Sequence, residues 1–138
     1  MNGFANWRAR GILPVLLLPL LIGCAQSGPP PANSSVARES LQVMLDSWQR
    51  GDAAEQLKDR APPIVAVDDD WRAGLRLTKY QVNSADSPHG VALRSTVVLS
   101  LVDSDGKAVE KRAIYTIGTG PTITIVRSDR EEEENAGS

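Results

Sequence analysis

The stretch that decides the fold is residues 91–117, VALRSTVVLSLVDSDGKAVEKRAIYTI. Val91, Leu93, Val97, Leu99 and Leu101 fall on one face of an extended chain, the two-residue period of a half-buried strand. Asp103-Ser104-Asp105-Gly106 then supplies turn residues. The chain returns through Val109, Ala113, Tyr115 and Ile117, again at alternating positions. Gly118-Thr119-Gly120-Pro121 makes a second tight reversal, and Thr122 to Arg127 follows as a third strand. Three successive strands joined by short turns are an antiparallel meander, whose apolar face must be covered by another element.

The cover is upstream. From Val36 to Arg50, Leu41, Met44, Leu45 and Trp48 stand at i, i+3, i+4 and i+7, a single stripe of a helix. Ser34 or Ser35 is placed to cap its start and Gly51 to end it. Asp52-Ala53-Ala54-Glu55 has the spacing of a capping box for a short second helix, which Pro62 and Pro63 stop. Ile64 to Val67 is a short apolar run. Leu75, Leu77, Tyr80 and Val82 break phase between Leu75 and Val82, which predicts a bulge. The expected class is α+β: an N-terminal helix and a short second helix packed on an antiparallel, curved β-meander.

Outside that domain the composition changes. Residues 1–10, MNGFANWRAR, carry two arginines and no acid, and Gly11 to Ile22 is an apolar run of 12 residues. A helix of that length reaches ~18 Å against a hydrocarbon core of ~30 Å, so the run reads as a leader rather than a permanent span. Leu21-Ile22-Gly23-Cys24 closes it, and Cys24 is the only cysteine. This junction resembles the lipobox of bacterial lipoproteins, with Ile22 where Ala or Ser is commoner. The resemblance implies thioether lipidation of Cys24, cleavage before it, and often acylation of the new amino terminus. Two or three acyl chains at ~0.8 kcal/mol per buried CH₂ hold a protein on a membrane stably. Ala25 rather than Asp after the cysteine implies, in a host with two membranes that sorts in the enteric way, an outer-membrane protein facing the periplasm.

Residues 1–23 are therefore expected to be the signal peptide and 24–35, with three consecutive prolines, a lipidated tether. Residues 36–128 form the domain, and 129–138 a solvated, disordered acidic tail. Loss of Arg8 and Arg10 with the leader takes the 15 basic residues to 13 against 17 acidic, and the excess of four equals the run Glu131–Glu134. The domain is close to neutral, which argues against nucleic acid as a partner.

Leu45-Asp46-Ser47-Trp48-Gln49-Arg50-Gly51-Asp52 resembles the first helix and turn of the NTF2-like (SnoaL-like) superfamily, whose members carry an aromatic and a Gly-Asp step before a strongly curved sheet. The order of elements suits that fold or the simpler cystatin-like helix-on-sheet. Enzymes of the superfamily place a carboxylate or histidine, often with a tyrosine, in a cone between helices and sheet. The span from Pro62 to Leu75 is short for the third helix that closes such a cone, and no residue is carried over as catalytic.

The remaining polar groups point to ordinary roles. Asp68-Asp69-Asp70 in an extended segment would point in alternating directions, so it reads as an acidic loop rather than a cation site. Asp103-x-Asp105-Gly106 lacks the later ligands of a calcium loop. His89, the only histidine, lies in the turn-rich Ser87-Pro88-His89-Gly90, with no partners for zinc or a triad. Gly118-x-Gly120 leads into proline and a strand, not the lysine and helix of a phosphate loop. No cofactor or metal is called for. Trp48, Trp71, Tyr80 and Tyr115 are the candidates to line a small-molecule pocket if the sheet curves. The expected function is a non-catalytic binding or scaffolding domain at a membrane of the cell envelope, with an envelope protein as partner. The alternative is an NTF2-like ligand-binding domain or enzyme. Cys24→Ser should abolish lipid labelling and release the domain from membranes, or leave uncleaved precursor; a variant that matures and partitions like the parent would refute the anchor.

Overall fold

A computed structural model describes residues 30–83 and 85–129, with Gly11 and Gly137 as isolated positions. Cys24 and Glu131–Glu134 lie outside the described residues, as do the calls made on them. Helix α1 spans Ser34–Arg50 and is followed by a 3-10 turn at Ala54–Asp59. The rest alternates strands with one further helix: β1 (Ile64–Val67), α2 (Asp69–Arg72), β2 (Arg76–Val82), β3 (Ser87–His89), β4 (Ala92–Val102), β5 (Ala108–Gly118) and β6 (Ile123–Arg127).

The meander is present as β4, β5 and β6, all antiparallel. In β4 every second residue from Leu93 to Leu101 is buried, Ser95 among them, while Val91 lies before the strand and is half exposed. Asp103 closes the β4–β5 turn by accepting from the backbone N–H groups of Asp105 and Lys107 at 3.0 and 2.8 Å. Gly118 ends β5 opposite Thr124, where a Cβ would come within 2.8 Å of the Thr124 hydroxyl oxygen. The β5–β6 reversal therefore requires glycine at that position.

The sheet is mixed, not purely antiparallel: β1 runs parallel to β6, with Ile64 opposite Ile123 and Val67 opposite Val126. Its order is β1-β6-β5-β4-β2, with β3 also on β4. Strands β2 and β3 share one edge of β4, the first along Val97–Val102 and the second along Ala92–Arg94. His89 thus belongs to a short edge strand rather than a loop, and its Nε2 lies 3.3 Å from the Arg94 guanidinium. The curled six-stranded sheet and the helix together are an α+β fold.

Helix α1 lies in the hollow of that sheet. Ala37, Leu41, Met44, Leu45 and Trp48 are buried against Val97, Leu99, Leu101, Ala113, Tyr115, Ile117 and Ile125. Burial of each large aliphatic or aromatic side chain contributes about 1.5–3 kcal/mol. The helix begins at Ser34, two residues before the expected start at Val36, because Asn33, not Ser34 or Ser35, is the cap, accepting from Val36 N–H at 3.1 Å. Gly51, at φ 85°, ends it in the left-handed conformation that favours glycine. The capping box after it does not form: the Asp52 carboxylate pairs with Arg50, and the 3-10 turn has no side-chain cap.

The bulge in β2 falls at Thr78, between the Leu77–Leu101 and Lys79–Ser100 pairs. Side chains satisfy what the ladder loses there. Gln49 donates to the Thr78 carbonyl at 3.0 Å, and the Thr78 hydroxyl donates to the Ser100 carbonyl at 3.0 Å. One residue earlier on α1, the Trp48 indole donates to the Leu75 carbonyl at 2.8 Å. The end of α1 is thereby fastened to the start of β2.

Candidate functional site

The site begins with the three aspartates after β1. Asp68 accepts from the backbone N–H groups of Asp70 and Trp71 at 2.8 and 3.1 Å, so it is the cap of α2. Asp69 and Asp70 occupy the first turn and Arg72 the last, the charge order that a helix dipole favours. This is one turn of helix, not the acidic loop that an extended reading gives. The turn brings Asp68 and Asp70 to the same side.

There they meet three groups from the sheet. The Tyr115 hydroxyl donates to the other oxygen of Asp68 at 2.5 Å, with both side chains fully buried. Arg127 pairs with Asp70, lies 3.6 Å from Asp68, and donates through Nε to Asp129 at 2.8 Å. Lys111 donates to both oxygens of Asp70 at 3.0 and 3.2 Å. Asp129, read from sequence as the first residue of the tail, is therefore an ordered member of the network. An open cleft of about 540 Å³ lies over it, lined by Asp69, Asp70, Lys111, Arg112, Arg127 and Asp129 among others.

The electrostatics fix the ionisation state of these groups. Burial alone would raise the Asp70 carboxyl, but hydrogen bonds and charge from Lys111 and Arg127 outweigh it and hold it below the usual range. Burial, together with the Asp68 charge and hydrogen bond, pushes the Tyr115 phenol well up. For Arg127, burial opposes the charge, yet the bonds to Asp129 and Asp70 and the nearby carboxylates raise it further. Tyr80 stands elsewhere, its hydroxyl donating to Asp46 on α1 at 2.5 Å; burial and that carboxylate push it up to about 12.

On the opposite side of α2, Trp71 stacks on Trp48, with ring centroids 5.5 Å apart and planes 10° from parallel. Its indole N–H donates to the Asp52 carbonyl at 3.2 Å. The pair forms one wall of an open cleft of about 560 Å³ with Arg50, Gly74, Arg76 and Thr78 on its margin. Of the four aromatic candidates, the structure brings Trp48 and Trp71 together here. Tyr80 and Tyr115 do not line this cleft, and Tyr115 is enclosed in the core.

Arg127 and Lys111 are the site residues that sequence reasoning missed. The partner signal was long-range, 57 and 41 residues from Asp70. The local signal was available: an aspartate before two acids, an aromatic and an arginine is a helix start followed by a basic last turn. Among the described residues, no group of three or more His, Cys, Asp or Glu side chains is arranged to hold a metal ion. In comparisons with known proteins the chain matches no family, no curated sequence and no solved structure.

The network has a pH consequence. The Asp70 carboxyl sits lower in the folded chain than its ordinary value of about 3.9, so its ionisation stabilises the fold fully above that value. That contribution is lost as pH falls through the folded value. Asp70→Asn should lower stability at pH 7 and flatten the acid limb of a denaturation series between about pH 5 and pH 2. An unchanged limb would show that the Lys111 and Arg127 pairing contributes nothing.

Proposed function

We propose that this protein is a lipid-anchored cell-envelope protein, held at a membrane through acyl chains on Cys24. In a host with two membranes, the proposed location is the outer membrane, facing the periplasm. Its domain is a non-catalytic binding module, and its contact site is the Trp48–Trp71 cleft. The observation that carries this reading is the partly exposed Trp71, braced by the buried Trp48 and bordered by Arg50 and Arg76. Rigid aromatic groups beside arginine are the side chains that carry most binding energy at protein interfaces. The occupant they suit is an envelope protein presenting an apolar side chain beside an acidic one.

The polar network supports a structural role for its members rather than acid–base catalysis. General acids and bases work best with a pKa near the operating pH. Asp70 is driven below that range, and Tyr80 and Tyr115 above it. Among the described residues, no helix is long and apolar enough to cross a membrane. The lipid on Cys24 is the proposed attachment.

A second reading, a small-ligand domain of the NTF2-like kind, draws on the cleft volume of about 560 Å³, which falls within the ~300–1,000 Å³ typical of small-molecule sites. The two separate in one experiment. A photo-crosslinking side chain at Arg76, in cells carrying the full chain, should capture a discrete envelope protein. The same probe at Arg112, over the other cleft, should not. Trp71→Ala should remove the adduct while lipidation of Cys24 persists. No adduct at Arg76, or one indifferent to Trp71, overturns the protein-partner reading; a saturable small molecule that quenches the tryptophans would favour the second.

A further inference from the structure

Residues 30–33 lead into the first end of α1, and the surface around them is mostly apolar. Ala32 N–H donates to the Val91 carbonyl at 2.7 Å, and Asn33 N–H to the Thr119 hydroxyl at 2.9 Å. The last residues before α1 are thus seated on the domain, beside the start of β4 and the β5–β6 reversal. A shallow groove of about 580 Å³ is formed there by Pro30, Pro31, Val91, Thr119, Gly120 and Pro121 with their neighbours. None of its lining residues is ionisable. Val91 is 50% exposed, the most open large apolar side chain among the described residues.

The Trp48–Trp71 cleft is at the other end. Helix α1 is 17 residues long, about 25 Å at ~1.5 Å per residue, and Trp48 lies in its last turn. Strand β4 runs the same course, from Ala92 beside the seated segment to Val102, which pairs with Arg76 on the margin of the cleft. The domain therefore has two poles, one at its N-terminal attachment and one at the indole pair.

We infer that the pole formed by Pro30, Pro31, Val91 and Pro121 rests on the lipid surface, so that the tryptophan cleft faces away from the membrane. The inference depends on the proposed lipidation of Cys24. Six residue steps separate Cys24 from Pro30. At ~3.3–3.6 Å per step, even a fully extended chain holds that pole within about 20 Å of the lipidated residue. The opposite pole lies a helix length, ~25 Å, from this one. Resting this pole on headgroups desolvates no charged side chain of the groove, and it covers Val91 and the prolines.

The test uses the full lipidated protein in vesicles of phosphatidylethanolamine and phosphatidylglycerol. Because the lipid occupies the only native cysteine, Val91→Cys provides a single reactive thiol for an environment-sensitive fluorophore. Arg76→Cys provides the same at the far pole. Spin-labelled headgroups should quench the label at position 91 several-fold more than the label at position 76. A label-free measurement needs no variant: Trp7 leaves with the leader, so Trp48 and Trp71 report the far pole, and brominated lipids should leave their emission unchanged. Equal quenching at both positions, quenching at neither, or loss of tryptophan emission to brominated lipid overturns the orientation. Mass spectrometry of the same sample separates the causes of failure. An unmodified Cys24 removes the anchor and the orientation together, whereas a lipidated Cys24 with an unquenched position 91 removes the orientation alone.

Discussion

The Asp68 carboxylate does two things at once, and the shape of the candidate site depends on both. One oxygen caps α2, and the other accepts from Tyr115 in the middle of the sheet. A helix of four residues has no stability of its own, because nucleation costs more than one turn returns. Here the turn is imposed from outside: Asp68 ties its start to β5, and Asp70 ties its first turn to Arg127 on β6 and Lys111 on β5. With that backbone fixed, Trp71 has little choice but to lie on Trp48. Each charge in the network has more than one partner or borders solvent, so removing one member weakens the tie without leaving a buried charge wholly uncompensated. The same charges fasten the parallel strand β1, whose hydrogen-bonded neighbour is β6 alone among the strands.

Helix α1 turns these local constraints into an arrangement of the whole domain. Its inner face fills the hollow of the curled sheet, so the core is closed by side chains such as Tyr115 and Met44 rather than left as a cone. Its two ends do different work. At the first, Asn33 and Ala32 fix the incoming chain to the β5–β6 reversal and to Val91 just before β4; at the second, Trp48 and Gln49 donate to the carbonyls of Leu75, just before β2, and of Thr78 at its bulge. Polar groups left free by the irregular backbone of β2 are thus met by the residues that shape the cleft. The segment seated before α1 and the proposed contact site lie at opposite ends of one helix, which suits the proposal of a domain presented outward from a lipid surface.

Much of the fold was legible because its signals are local. The alternation from Leu93 to Leu101, the stripe from Leu41 to Trp48 and the phase break in β2 each reflect burial on one face, which periodicity records directly. The parallel pairing of β1 with β6 was not legible, since a four-residue apolar run carries no mark of its neighbour. Nor was the ion-pair network, because the partners of Asp70 lie in strands read only for their apolar faces: Lys111 and Arg127 appear in such a pattern simply as outward positions. For the candidate site, the sequence offers Trp48 and Trp71 among four aromatic candidates to line a pocket, with no sign of which two meet. What joined them was α2, whose capping signal was hidden inside an acidic triplet.

Asp68, through its cap and its bond to Tyr115, organises α2 and thereby the indole pair. Two indoles stacked at 5.5 Å couple their excited states and give a paired positive and negative band in far-ultraviolet circular dichroism. The most direct measurement is that spectrum for Asp68→Ala, recorded beside amide signals that report the rest of the sheet. In this variant the coupled band should be lost while the sheet signal persists, with unfolding easier by about 2–4 kcal/mol from the lost cap and the unpaired Tyr115 hydroxyl. A variant that keeps the coupled band at its parental amplitude, with stability changed by less than about 0.5 kcal/mol, would contradict that role for Asp68.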